Sequence, residues 1–306
     1  MRDVDLVVVG AGVAGLTAAM FAGRHGRKVA VVEQLGPGGQ IINAERIENF
    51  PGFPQGTAGH ELGPLLHEQA ESAGVEFLLD TVQALAVDGE HRIVRGAGDT
   101  LRARAVIVTA GSALRPLGVT GEEKFLGRGV SHCASCDGAF FAGQPVCVIG
   151  GGDSAVDEAL VLAEQAAHVT IIHRGDALDA QHVLKAKVAS AGKVEIVLRT
   201  AVEEIIGEDA VAAVRLHEFA TGTERLEAVK GVFIYVGLEP NTAFVRGVLA
   251  LDGAGHIETD INMRTSLAGV FAAGDIRAHS VAQLAAAAGD GATAAISAIR
   301  YLTGIK

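Results

Sequence analysis

The sequence predicts an α/β fold of two βαβ units, the second inserted into the first, and three observations carry that prediction. A glycine turn framed by apolar β-branched runs and an Ala-rich stretch opens the chain. The same arrangement returns near the middle. Two further apolar runs ending in glycine turns, 101–112 and 265–276, echo one another on either side of the second unit.

The first unit is "VDLVVVGAGVAGLTAAMFAGRHGRKVAVVEQ". Val4 to Val9 reads as a fully buried parallel strand, because its run is continuous and β-branched rather than alternating. Gly10, Gly12 and Gly15 follow in the spacing that allows a tight turn, close approach of a pyrophosphate and close packing of helix on strand. A helix to about Gly26 then offers unpaired N–H groups at its start. A second strand, Lys28 to Val32, ends in Glu33, where an acid accepts hydrogen bonds from an adenosine ribose. Strand, helix, strand and terminal acid stand in order, which makes this a dinucleotide-binding, Rossmann-like unit.

The second unit is "QPVCVIGGGDSAVDEALVLAEQAAHVTIIHR". It predicts a strand around Val146–Ile149, the turn Gly150-x-Gly152-x-x-Ala155, a helix to about Ala166 and a strand Val169–Ile172; Ala is an accepted variant at the third position. Two such units argue for two dinucleotides. Cys147 falls between apolar neighbours and reads as a small core residue. The run 265–276 ends in Gly274-Asp275, and an acid at the C-terminal end of a parallel strand points into a ligand crevice. A third echo, 230–242, belongs by position to the second unit. The expected division is therefore discontinuous: 1–113 with 242–306, and 114–241 between them. The crossings "SALRPLGVTG" and "VGLEPNT" are the expected hinge strands.

Composition narrows the partners. A length of 306 residues predicts about two domains with sizeable cores. With 49% hydrophobic residues and 40 glycines, the chain suits a soluble, turn-rich α/β protein. Lys+Arg 25 against Asp+Glu 36 leaves a net charge of −11, and no basic run offsets it, which argues against nucleic acid. The start "MRDVDLVVVG" enters a strand without a basic leader region. The late Ala-rich stretch, "SVAQLAAAAGDGATAAISAI", is broken by Asp290 and two glycines and reads as a buried helix rather than a membrane span. Three cysteines are too few for a secreted disulfide framework, so a cytoplasmic location is expected.

Two of those cysteines form a CxxC, "SHCASCDG", with Asp137 directly behind Cys136. Such a pair is half of a zinc site, a structural disulfide or a redox dithiol. Zinc wants four ligands; His132, Cys133 and Cys136 supply three, with no second CxxC or HxxxH in the chain. No metal is expected. A structural disulfide leaves Asp137 and the two nucleotide turns without a shared purpose. A redox dithiol uses all of them: the working species is a thiolate, and an adjacent carboxyl can exchange its proton. His132 reads first as solvent-facing and second as a group tuning a thiolate.

Taken together, "GAGVAG", "GPGGQI", "IENFPGF", "CASCDG", "GGGDSAVDEA", "GLEPNT" and "MRTSLAGVFAAGD" cover essentially the whole chain. In this order and spacing the chain resembles the bacterial low-molecular-weight thioredoxin reductases. CxxC-Asp-Gly is the most specific element, since related flavoproteins that share the nucleotide turns usually lack it. The resemblance implies FAD on the first unit, with Gly10, Gly12 and Gly15 at the pyrophosphate and Glu33 at the ribose. It implies that Gly39, Gln40, Asn49, Ala110, Gly111 and Asp275 line the rest of that nucleotide, with Gln283 near the isoalloxazine. On the second unit it implies Gly152, Asp153, Ser154 and Glu158 facing a nicotinamide nucleotide, NAD(P)H, with His173 and Arg174 beyond them. It further implies thioredoxin or a thioredoxin-like protein as partner, a homodimer, Cys136 as the sulfur nearer the flavin, and rotation of one domain against the other between two half-reactions.

The chain departs from the resemblance at two places. NADPH-using members carry "HRRDxxR", whereas here the stretch is "HRGDALD": Gly175 replaces one arginine and Asp179 stands where the last would be. A 2′-phosphate wants bidentate cations, and a carboxylate repels it. Weak NADPH binding is expected, with NADH, a ferredoxin or a reduced flavin as the donor. In "HSVAQLA", Ala282 stands where an arginine usually precedes Gln283. Two alternatives remain open at this level: an oxygen-using flavin-dependent oxidase of small dithiols, and a nucleotide-binding redox sensor that does not turn over.

Overall fold

The computed structural model describes residues 1–304. In chain order it runs β1 (Arg2–Val9), α1 (Val13–Arg24), β2 (Val29–Glu33), α2 (Gly59–Ser72), β3 (Glu76–Leu79), β4 (Val82–Asp88), β5 (His91–Gly96), β6 (Thr100–Val108) and β7 (Ser112–Leu114). It continues with α3 (Glu122–Phe125), β8 (Val130–Ser131), α4 (Ala134–Asp137), β9 (Pro145–Ile149), α5 (Asp153–Gln165), β10 (His168–Ile172), α6 (His182–Ser190) and β11 (Val194–Val197). Then come β12 (Thr200–Gly207), β13 (Val211–Glu218), β14 (Thr223–Ala228), β15 (Gly231–Ile234), β16 (Leu238–Pro240), β17 (Val270–Ala272) and α7 (Leu284–Thr303).

The chain divides into two compact units, Met1–Ala113 with Glu239–Lys306, and Leu114–Leu238. The second crossing thus falls three residues before the expected one. There Asn241 already belongs to the first unit, its backbone N–H and side-chain amide donating to Gly111 O (3.0 Å) and Ala110 O (2.8 Å).

Among the described residues, the first unit is built on a seven-stranded sheet in the order β3-β2-β1-β6-β5-β4, with β17 also on β6. The pairings β1–β2, β1–β6, β2–β3 and β6–β17 are parallel, as buried βαβ crossovers require. β4 and β5 add an antiparallel hairpin that the glycine turns did not announce. β6 serves both partners by splitting its length: Thr100–Ala103 faces β5, and Val106–Val108 faces β17. Side-chain alternation along β1 then feeds two cores. Leu6 and Val8 pack with Ala14, Ala18, Ala294 and Ala298 of α1 and α7. Val7 and Val9 pack with Val94, Val106 and Val108 on the other face. The alanines let the two helices approach so closely that a Cβ on Gly291 would stand 2.2 Å from Ala14 O. The Ala-rich stretch is therefore a core helix, and no helix among the described residues is long and apolar enough to cross a membrane.

The second unit carries a five-stranded parallel sheet, β11-β10-β9-β15-β8, and a three-stranded antiparallel sheet, β12-β13-β14. Cys147 lies fully buried in β9, and burial pushes its thiol well above the ordinary range. It is an inert core residue.

Candidate functional site

In the first unit the glycine turn is a backbone necessity. Gly10 has φ +101°, and a Cβ there would meet Thr109 O at 2.5 Å. A Cβ on Gly15 would stand 1.9 Å from Gly10 O and 2.7 Å from Thr109 Oγ1. Thr109, which the motif did not flag, completes the seat by donating from Oγ1 to Val9 O at 2.8 Å. Glu33 is held at the end of β2: Oε2 accepts from Ala11 N–H at 2.8 Å and Oε1 from Leu35 N–H at 3.0 Å. Gly38 N–H donates to Ala11 O at 2.8 Å, and this lays the "GPGGQ" loop against the turn. A Cβ on Gly39 would come within 3.0 Å of Gly12 Cα. Gly10, Gly12, Gly15, Glu33 and Gly39 are thus one cluster.

The remaining first-unit residues are joined across long sequence separations. Gln40 donates from its side-chain amide to Ser112 O. Asn49 Nδ2 donates to Gln283 Oε1 at 3.1 Å, a bond across 234 positions. Gly111 takes φ +59° at the end of the β6 turn. Asp275 accepts from Ser280 Oγ at 3.2 Å through Oδ1, and its backbone carbonyl accepts from Ser112 Oγ at 3.1 Å. Burial raises the Asp275 carboxyl above the usual carboxylate range, against the lowering effect of the Ser280 bond. Ser112, Ser280 and Asn241 escaped the sequence reading, since single Ser and Asn residues in loops carry no spacing signal.

These residues fit a dinucleotide of the FAD type. α1 begins at Gly12 with no acidic residue in its first turn and no side-chain cap, and no atom stands within 4 Å of where a Gly12 Cβ would lie. That leaves an open cradle of helix-start N–H groups for a diphosphate. Each Glu33 oxygen holds one N–H and retains a lone pair for a ribose hydroxyl.

In the second unit, α5 begins at Gly152 without a side-chain cap, with open space where its Cβ would be. Asp153 is engaged: Oδ1 accepts Gln181 N–H at 2.7 Å and Oδ2 accepts the Gln181 amide at 2.6 Å. Ser154 is exposed beside it. The His173 ring is wedged between two glycines. A Cβ on Gly151 would stand 2.4 Å from its Nδ1 and one on Gly175 2.5 Å from its Nε2. Asp179 N–H donates to Gly151 O at 2.8 Å, and the Asp179 carboxylate lies 3.7 Å from His173 Nε2 while 82% exposed. Arg174 is exposed, and Asp176 takes up Arg199 at 2.5 Å. A glycine at 175 is what the histidine's position demands.

The CxxC sits on the same unit. Cys133 and Cys136 form a disulfide, with Cys136 the more exposed. Cys136 N–H donates to Cys133 Sγ at 3.2 Å. Ser131 links the pair to its acid: Cys133 N–H donates to Ser131 Oγ at 3.1 Å, and Ser131 Oγ donates to Asp137 Oδ2 at 2.6 Å. His132 is not simply solvated, because its Nδ1 donates to Ile234 O at 3.2 Å. Glu158, expected at a nucleotide, reaches the redox turn, where Oε2 accepts Ala134 N–H at 2.9 Å. Nearby, Arg128, Phe140, Phe141 and Lys230 line an open cavity of about 620 Å³, and Phe140 is 76% exposed.

Comparison with known proteins agrees with this geometry. The model of the pyridine nucleotide-disulphide oxidoreductase family matches residues 4–292. A thioredoxin reductase from Listeria innocua is 41% identical over 303 residues, spanning 99% of this chain and 95% of that protein. The chain belongs to the thioredoxin reductase family of pyridine nucleotide-disulphide oxidoreductases. The crystal structure of Lactococcus lactis thioredoxin reductase superposes with a TM-score of 0.97 at 39% identity, over 98% of this chain and 99% of that one. That of the T. acidophilum thioredoxin reductase gives 0.95 at 36%, covering 100% of both. This thioredoxin reductase-family chain is thus a flavoprotein oxidoreductase of a family that carries FAD, with two Rossmann-like units.

Proposed function

We propose that the protein reduces the disulfide of thioredoxin or a thioredoxin-like protein through Cys133 and Cys136. The observation that carries the reading is the Cys133–Cys136 disulfide itself, tied by Ser131 to Asp137 and by Ala134 to the helix of the second glycine turn. Gly10, Gly12, Gly15, Glu33, Gly39, Gln40, Asn49, Ala110, Gly111, Asp275 and Gln283 are the residues we assign to FAD. When bound, FAD supplies the electron pair that opens the disulfide.

The protein's own groups do the rest. One cysteine thiolate attacks the partner's disulfide, forming a mixed disulfide and expelling a partner thiolate. The other cysteine attacks the mixed disulfide, which restores Cys133–Cys136 and releases the second partner sulfur. Asp137, oriented by Ser131, is placed to give a proton to a leaving sulfur. The open cavity with exposed Phe140, lined by Arg128 and Lys230 together with Glu208 and Asp209, offers a surface of apolar groups and both charges for a docking protein. Rotation of the two units about residues 114 and 238 would let the disulfide and a nicotinamide nucleotide, held by Gly152, Asp153 and Ser154, alternate in access to the flavin. A homodimer completes the proposal, and light scattering of the purified protein tests it.

For the donor, we propose weak use of NADPH. The second glycine turn fits a diphosphate, but the surface beyond it does not fit a 2′-phosphate. Asp179 projects there, Arg199 is taken up by Asp176, and Gly175 offers no side chain. Anaerobic titration of the yellow holoprotein with NADPH, NADH and reduced ferredoxin, each followed by thioredoxin, tests both parts. A donor other than NADPH should bleach the flavin faster, and thioredoxin should restore the colour. Rapid bleaching by NADPH alone overturns the donor assignment; no re-oxidation by thioredoxin overturns the function. The oxygen-dependent dithiol oxidase and the non-turning-over sensor draw no support from the relatives described, which are named as reductases.

A further inference from the structure

Two polar groups beneath the redox turn, Glu158 and Tyr235, were given no chemical role in the scheme above. Ala134 lies between the cysteines and is 1% exposed; its N–H is directed at Glu158 Oε2, 2.9 Å away on α5. Beside this bond is the Tyr235 hydroxyl, at the end of β15. Tyr235 is 8% exposed, and its buried hydroxyl lies against the Glu158 carboxylate and the Ala134 N–H. Burial, with the charge of Glu158, pushes the Tyr235 phenol far above its ordinary range, so it remains a proton donor.

We propose that Glu158, backed by Tyr235, is the positioning group of the redox turn: its carboxylate holds the turn by the Ala134 N–H, and its charge sets how readily the reduced cysteines release a proton. The inference rests on the reading of Cys133 and Cys136 as the working dithiol. Opening the disulfide breaks the S–S bond, takes up one proton and two electrons, which bound FAD would supply, and leaves one thiol and one thiolate. Within the turn, Cys136 N–H lies on Cys133 Sγ, while Ala134 N–H is directed to Glu158. A carboxylate beside the turn disfavours the thiolate by like-charge repulsion. The other titratable groups on the elements packed here are His132 and Asp137 on the turn's own segment, Asp153, Asp157 and Glu164 on α5, and Tyr235 after β15. The short 3-10 helix Gly138–Phe141 packed against it carries none. Tyr235 is a second donor to the Glu158 carboxylate, beside the Ala134 N–H.

The test reads the thiols directly. Holoprotein reduced with dithiothreitol and desalted anaerobically is alkylated with iodoacetamide across pH; Cys147, fully buried, stays silent. Glu158→Gln keeps an acceptor for Ala134 but removes the charge. Its alkylation midpoint should fall by about one pH unit, a tenfold change in proton affinity. Above the parent's midpoint, equilibrium with the glutathione couple should then favour the dithiol tenfold, equivalent to about 30 mV. Glu158→Asp, which keeps the charge, should stay close to the parent, and Tyr235→Phe should shift the midpoint the other way by a few tenths. Retained flavin absorbance shows that each variant is folded. A Glu158→Gln profile that overlays the parent in both readouts, or an Asp variant that shifts as far as Gln, overturns the proposal. Failure of the reductase reading would appear in the thioredoxin assay and leave this titration interpretable.

Discussion

Removing the Asp290 carboxylate should destabilise the first unit more than any surface substitution. Asp290 lies on α7, 8% exposed, among alanines that seat this helix on α1. Its carboxylate accepts Arg277 Nε at 2.5 Å, Arg277 Nη2 at 3.0 Å and Gly274 N–H at 3.2 Å. Asp290→Ala leaves the guanidinium with only its Nη1 bond to Ala278 O, and strips the Gly274 N–H of its carboxylate acceptor. Loss of one member of a buried pair typically costs about 3–5 kcal/mol. The Arg277 side chain is 17% exposed and can partly rehydrate, which points to the lower end, about 3 kcal/mol. At about 2–4 °C per kcal/mol for a domain of this size, the unfolding midpoint should drop roughly 6–12 °C. Flavin release should accompany it, because Gly274 precedes Asp275. Thermal unfolding by circular dichroism, with flavin fluorescence as a second probe, measures both. Arg277→Met in the Asp290→Ala background should recover much of the loss, since an apolar replacement removes the stranded charge. A midpoint within 2 °C of the parent for Asp290→Ala refutes the argument.

Gly15→Ala should cost FAD content in the purified protein and about 1–3 kcal/mol of stability, because the new Cβ would stand 1.9 Å from Gly10 O. The converse Ala155→Gly in the second turn should leave the flavin spectrum unchanged. Asp80 accepts N–H groups from Asp99, Gly98, Thr81 and Ala97, bonds that hold its carboxyl below the usual value. A depressed folded pKa contributes stability above the unfolded value, near 3.9, that is lost as pH falls through the folded one. Asp80→Asn should therefore lower the unfolding midpoint at pH 6, with the gap closing in acid; a gap that persists in strong acid contradicts it. Asp275 has the opposite sign: burial raises its carboxyl, so ionising it costs stability as pH climbs past the unfolded value. Asp275→Asn should melt higher than the parent near pH 7 and alike well below pH 4, while losing flavin affinity in a direct titration.

The elements around the two glycine turns were legible to within a residue or two, from Val4 in β1 to Ile172 in β10, because both units are written in local periodicity. β4, β5 and α2, by contrast, carry no motif and were not announced. The sites divide the same way. Glu33 was readable because a strand end holds it at a set distance from the turn. Thr109, Ser112 and Ser280 were not, since a lone hydroxyl acquires meaning only from what it touches. Glu158 carries a contact that no motif announced, its hydrogen bond to Ala134.

By itself the sequence determined the two turns, their order, and a cysteine pair with an acid behind it, since residue spacing alone imposes strand, turn and helix. Only the tertiary structure decided that Asn49 meets Gln283, that Asp290 neutralises Arg277, that His173 occupies the space beside Gly175, and that Glu158 with Tyr235 lies under the redox turn. Most of those contacts join separate segments of the chain, and no local pattern encodes them. They exist because the sheets and packed helices bring such groups together.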